Sequence, residues 1–155
     1  METIVGSLAG VSYHAFDIVY DLLFTTERVI AFIIQHPNDI PHQHPSMMED
    51  VFFGSMLRKP REKPERVKIA QERRRSLQEK PLDELVALHP SNFEVRYSAV
   101  TSVEVTRGLF QSQLMFNISS PSAREQKVRF SLSKKQIPDA QGLLDLVLLS
   151  KIKEK

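Results

Sequence analysis

Three stretches in the second half of the chain alternate apolar and polar residues: Phe93, Val95 and Tyr97; Leu114, Phe116 and Ile118; Val128, Phe130 and Leu132. A period of two gives each strand one apolar face, so an antiparallel meander with one wet face is predicted. Val103 and Val105 add a shorter case, and Arg107-Gly108 beyond them permits a turn or bulge. The stretch DLLFTTERVIAFII, residues 21 to 34, behaves differently, with apolar residues in succession on both sides of a polar TTER knot. Hairpin arms of that kind are expected where both faces of a sheet are covered. Adding a weaker strand near Val11 to Phe16 gives seven, at about 11–16, 20–25, 28–35, 93–97, 101–107, 112–119 and 126–132.

After the last strand the period changes. Pro138 suits a first helical turn, because its missing N–H would have no partner there. Leu143, Leu144, Leu146, Val147, Leu148, Leu149 and Ile152 then cover most of a helix surface, predicting a largely buried helix. Lys151, Lys153 and Lys155 fall near the negative end of its dipole. A dimerising helix is the alternative. Residues 36–92 are too long for an ordinary connection between strands. Pro64 can start a helix running to about Gln78, whose thin stripe of Val67, Ala70 and Leu77 reads as solvated. Pro81 can start a shorter one, docked through Leu82, Leu85 and Val86 and ended by His89-Pro90.

A chain of 155 residues with 41% hydrophobic content is about one domain long, so residues 1–155 are read as a single unit carrying the 36–92 insertion. The longest unbroken apolar run, Val29 to Ile34, is far too short to span a bilayer, and the first Lys or Arg is Arg28, which argues against a secretory leader. The expectation is a soluble, cytoplasmic protein. With no cysteine, disulfides, thiolate zinc sites and thiol nucleophiles are excluded. The net charge of +2 conceals an asymmetry: between Arg58 and Lys80 ten basic residues face four acids, so the remainder of the chain is acidic.

These elements, in this order, resemble a known superfamily. DLLFTTERVIAFI resembles the LLLTNxRLI hairpin of GRAM domains and bacterial PH-like domains. NFEVRYSAVTSVEVTRGLF is similar to the segment in which a short polar step and an SVEV strand lead into a Gly turn, and KVRFSLSKKQ followed by a leucine-rich helix resembles the family's close. The resemblance covers residues 11–35 and 91–155 and implies an α+β, mainly β fold: a PH-like seven-stranded antiparallel barrel or sandwich capped by a C-terminal α-helix. It also implies a noncatalytic binding or scaffolding module, often homo-oligomeric. The long, partly helical insertion between strands three and four departs from the pattern, and the resemblance would place it over the open end of the barrel.

Several residue groups are candidate sites. The first hairpin loop, near Phe16 to Tyr20, offers Asp17 and Asp21 and no base, so a phosphoinositide site of the usual kind lacks its donors there. Arg66, Lys68, Arg73, Arg74 and Arg75 form the strongest charge feature, with Arg124 and Lys127 as a second pair. Three consecutive arginines on a helix point about 100° apart and cannot converge on one phosphate. Set against a solvated helix, the lipid reading is peripheral adsorption of this basic insertion to an anionic membrane. Nucleic acid is disfavoured because no Phe, Tyr or Trp occurs between Gly54 and Asn92 to stack on bases. QHPNDIPHQHP places His36, Asp39, His42 and His44 within nine positions, ligand types suited to a divalent metal, with His36, His42 and His44 as the candidates, although a proline-rich loop is the preferred reading. No phosphate loop, nucleophile elbow or His-Glu-x-x-His is present, so neither an enzyme nor a cofactor is expected. A protein partner or self-association is the expected interaction.

Overall fold

The computed structural model describes residues 2–13, 15–39, 64–119 and 126–153. Seven antiparallel strands form one unclosed sheet: β1 (Ile4–Tyr13), β2 (Ala15–Thr25), β3 (Arg28–Gln35), β4 (Phe93–Arg96), β5 (Val100–Thr106), β6 (Ser112–Ile118) and β7 (Gln126–Leu132). A two-residue β8 (Ile152–Lys153) adds in parallel to β5, and the order across the sheet is β4-β3-β2-β1-β7-β6-β5-β8. Among the described residues the α-helices are α1 (Pro64–Glu79), α2 (Leu82–Leu85) and α3 (Ile137–Val147). The α+β class with its C-terminal helix is therefore as expected, and this order is compatible with a PH-like fold. Hydrogen bonding runs through a single sheet rather than two, joined at the Ser12–Ser131 pair, with β4 and β8 as its edges.

The predicted first strand spans the junction between β1 and β2, because β1 begins seven residues earlier than its weak alternation suggests. Its pairing with β2 shifts register between Leu8 and Val11, and Gly10 sits at that bulge with φ 68°, a conformation that glycine adopts without penalty.

The inner face of the sheet holds the main core. Tyr20, Leu22 and Phe24 of β2 and Val29, Ala31 and Ile33 of β3 meet Leu114, Phe116 and Phe130 from the other half of the sheet. Tyr13 packs its ring 5.5 Å from Tyr20, 5.4 Å from Phe93 and 5.3 Å from Phe130, tying four strands together. Helix α3 closes this core through Ala140 and Leu144, followed by Leu148.

The alternate residues of the same hairpin make a second core on the opposite face. Leu23, Ile30, Phe32 and Ile34 are buried there against Leu85, with Ala70, Leu77, Leu82 and Val86 packed around them. Both arms of the hairpin are apolar on successive residues because both faces are covered, one by the other half of the sheet together with α3 and the other by α1 and α2. Residues 64–88 of the insertion thus lie on the back of β2 and β3: α2 is docked as expected, and α1, read from its sequence as solvated, also packs there through Ala70 and Leu77 while its other side stays exposed. Ala70 and Leu77, two residues two turns apart, suffice as a docking stripe because charged side chains fix the rest of the helix.

The C-terminal helix is shorter and less buried than the leucine run predicts. Leu148 leaves helical geometry at φ −137° and ψ 30°, a 3₁₀ turn follows, and Ile152 joins the sheet. Leu146 and Leu149 are exposed, so the helix buries a single stripe. Lys151 donates from Nζ to the Tyr97 carbonyl at 2.7 Å and fastens this tail to the connection between β4 and β5.

Candidate functional site

Helix α1 carries the densest positive charge, and two of its arginines are committed within the chain. Arg73 grips Asp39 with both ends of its guanidinium, at 2.7 Å and 2.7 Å, and donates to the Ile34 carbonyl at 3.1 Å. Burial by itself would raise the Asp39 carboxyl, but Arg73 and the His36 backbone N–H outweigh it and hold that carboxyl below its ordinary value. Arg74 donates to the buried carboxylate of Asp21 at 3.0 Å and 3.3 Å, and the same carboxylate accepts the Gly10 N–H at 2.9 Å. These contacts clamp α1 to the end of β3 and the middle of β2. Of the remaining candidates, Lys68 and Arg75 are exposed, and Arg66 is half-buried, its Nε lacking a hydrogen-bond partner among the described residues. The five cations do not converge on a shared point.

Arg28 organises a second network at the opposite end of β3. Its side chain is buried and reaches Glu2 at 2.9 Å, Asp83 at 3.2 Å and Glu94. Hydrogen bonding to Glu2 raises the Arg28 guanidinium further. The Glu2 and Glu94 carboxyls, which burial would push up, are held below their ordinary range mainly by hydrogen bonds from Arg28. Carboxylates locked as anions around a permanent cation make a structural pin and are poor partners for proton transfer near neutral pH.

The histidine reading is only partly addressed. His36 lies in the turn after β3, its ring 6.1 Å from that of His89, which accepts the Ser91 N–H on Nδ1. Burial and then the nearby Arg73 lower the His89 imidazole below its usual value. His42, His44 and Arg124 lie outside the described residues, and Lys127 is exposed on β7. Among the described residues no group of three or more His, Cys, Asp or Glu is placed to hold a metal ion.

The surface with unsatisfied chemistry lies at a place that sequence reasoning passed over as a turn. Between β5 and β6 the chain reverses through residues 107–111, and Leu109 and Phe110 stand 87% and 95% exposed at its tip. Gly108 makes that reversal possible, since a Cβ there would meet the Gln111 carbonyl oxygen at 2.1 Å. Behind the tip, Arg107, Gly108, Ser112, Lys134, Ile137 and Pro138 line a cavity of about 400 Å³. Ser112 is fully buried, yet its Oγ has no hydrogen-bond partner among the described residues. Lys134 and Lys135 are exposed in the capped 3₁₀ turn that leads into α3. The signal for this site was two bulky apolar residues directly after a turn glycine, where turn chemistry normally places small polar ones.

No described helix is long and apolar enough to cross a membrane. No family model, curated protein or solved structure matches the chain.

Proposed function

We propose that this chain is a noncatalytic PH-like, GRAM-related binding module whose recognition surface is the β5–β6 hairpin tip with the cavity behind it. The sheet order and the closing helix support the superfamily assignment, and the resemblance of the hairpin and SVEV segments points the same way. The observation that carries the choice of surface is the exposed Leu-Phe pair beside a cavity with basic side chains on its rim. Leu109 and Phe110 are adjacent and both exposed, so together they offer an apolar contact outside the fold, which a singly exposed residue would not.

The basic insertion is a weaker seat for a ligand, because Arg73 and Arg74 already neutralise Asp39 and Asp21. In this reading α1 is a brace on the back of the sheet. Binding by a protein partner or a second copy through the hairpin tip predicts concentration-dependent association in light scattering. Leu109→Ser with Phe110→Ser abolishes that association while leaving the melting temperature unchanged. Association that persists at full strength in the double variant would remove the tip from the function.

A further inference from the structure

We propose that the turn of residues 89–92 is an acid-sensitive catch: a proton taken up by His89 breaks it and frees α1 and α2 from the back of β2 and β3. The catch uses no residue of the β5–β6 tip and goes beyond the binding-module reading.

Hydrogen bonding fixes which proton matters. The Ser91 backbone N–H donates to His89 Nδ1 at 2.9 Å. A backbone amide can only donate, so Nδ1 carries a lone pair and the neutral ring keeps its hydrogen on Nε2. A second proton must enter at Nδ1, where it sets N–H against N–H and costs the amide its partner. The same tautomer leaves neither ring nitrogen open to a metal ion, so the approach of the His36 and His89 rings to 6.1 Å is not half of a chelate.

The turn that loses this bond joins the insertion to the sheet. The Asn92 N–H donates to the His89 carbonyl at 3.0 Å, the Ser91 carbonyl accepts the Tyr20 hydroxyl at 2.7 Å, and the Asn92 side chain bridges the Ile33 N–H and the Leu85 carbonyl. Leu85 is fully buried in the second core, where Leu23, Ile30, Phe32 and Ile34 meet the two helices. Helix α1 adds only Ala70 and Leu77 to that core and leans on the ion pairs of Arg73 and Arg74, so the whole cover depends on its joint.

The surroundings of the ring oppose its protonation. Among the described residues, Arg73 of α1 and both Asp39 and His36 of the turn after β3 face His89. Burial does most to lower the imidazole below its ordinary value, Arg73 adds to it, and Asp39 pulls the other way with a carboxylate that Arg73 already grips. A base whose folded pKa is depressed contributes stability that is complete above its unfolded value of about 6.5 and is lost as pH falls from there through the folded pKa. In the opened turn His89 regains its ordinary basicity, so protons bind the open form better and shift the population toward it.

The test is amide exchange of the full chain, followed by NMR at pH 7 and pH 5.5 with rates corrected for intrinsic exchange. Protection of Ile33, α1 and α2 should fall by about three- to eightfold, eight being the limit for one proton and an open-state pKa of about 6.5, while β6 stays within about twofold. His89→Asn puts an amide oxygen where Nδ1 stood, so it keeps the acceptor for Ser91 without titrating, and its protection should be flat over the same interval. A wild-type loss below about threefold, a loss in His89→Asn as large as in the wild type, or β6 loosening in step with α1 overturns the proposal. Nitrogen-15 shifts of the wild-type ring test the premise without any variant: the Nε2–H tautomer is expected at pH 7, and the Nδ1–H tautomer overturns it.

Discussion

Asn92 joins the insertion to the sheet, and changing one atom of its side chain should turn that joint into a pH-sensitive fault. The residue is buried, its Oδ1 accepting the Ile33 N–H at 2.7 Å and its Nδ2 donating to the Leu85 carbonyl at 2.8 Å. Pairing of β3 with β4 ends at Ala31 and Phe93, so the carboxamide carries the ladder one step further and holds Leu85 over the second core. Asn92→Asp keeps the acceptor for Ile33 but turns an oxygen toward the Leu85 carbonyl. Ionised, it places a buried charge against a lone pair; protonated, it restores a donor. The folded state therefore raises the pKa of the new carboxyl above its unfolded value of about 3.9. Stability is then fully retained below about pH 4 and is lost as pH rises through the folded pKa. The penalty should be within about 1 kcal/mol of zero at pH 4 and grow by up to about 1.4 kcal/mol per pH unit, reaching roughly 2–4 kcal/mol at pH 7. That corresponds to a melting temperature lower by roughly 5–15 °C. Urea denaturation of wild type and variant across pH 4 to 7 measures it, and taking the difference at each pH cancels the titration of Glu2, Asp39 and Glu94 common to both. A penalty that is flat with pH, or smaller than about 0.5 kcal/mol at pH 7, would refute this account of the joint.

Three further outcomes follow from the same contacts. Asp39→Asn should cost about 1–3 kcal/mol at pH 7. Its carboxyl is held below its ordinary value, so that difference from wild type is present above about pH 4 and closes as pH falls through the folded pKa; a gap that widens in acid would contradict the Arg73 clamp. Leu85→Ala empties a fully buried position in the second core and should lower unfolding free energy by about 2–5 kcal/mol, with amide exchange in α1 and α2 accelerated more than in β6. Gly108→Ala drives a Cβ into the Gln111 carbonyl, and the 107–111 turn must open; a chemical-shift map in which those residues stay put would show that the turn has slack the structure does not contain.

Much of the strand pattern could be read from the chain because a period of two survives wherever one face is wet. Phe116, Phe130 and Val103 all point inward as their alternation implies. The double apolar hairpin announced two covered faces, but not what covered the second. Ala70 and Leu77 make too thin a stripe to declare a docked helix, since the anchoring of α1 comes from Arg73 and Arg74 reaching acids 34 and 53 positions away. Summing charge over a segment cannot reveal such pairings, so the basic run looked available for a ligand. The leucine-rich tail misled in the other direction, because hydrophobicity alone does not show where Leu148 leaves the helix and Ile152 enters the sheet. At the hairpin tip the clue was in plain view in Gly108-Leu109-Phe110, but its weight depends on the burial of its neighbours, which a sequence does not show.

The two-sided hairpin raises a problem of alignment. Sliding β2 past β3 by one residue exchanges the two sets of side chains, and since both sets are greasy, oil-like burial would scarcely object. What forbids the slip is a handful of polar keys. Asp21 fits only opposite Phe32, where Arg74 and the Gly10 N–H can reach it; Thr25 fits only where its hydroxyl accepts the N–H groups of Glu27 and Arg28. These few residues act as the teeth of a lock, and a chain deprived of them would retain its grease yet lose its single way of zipping up.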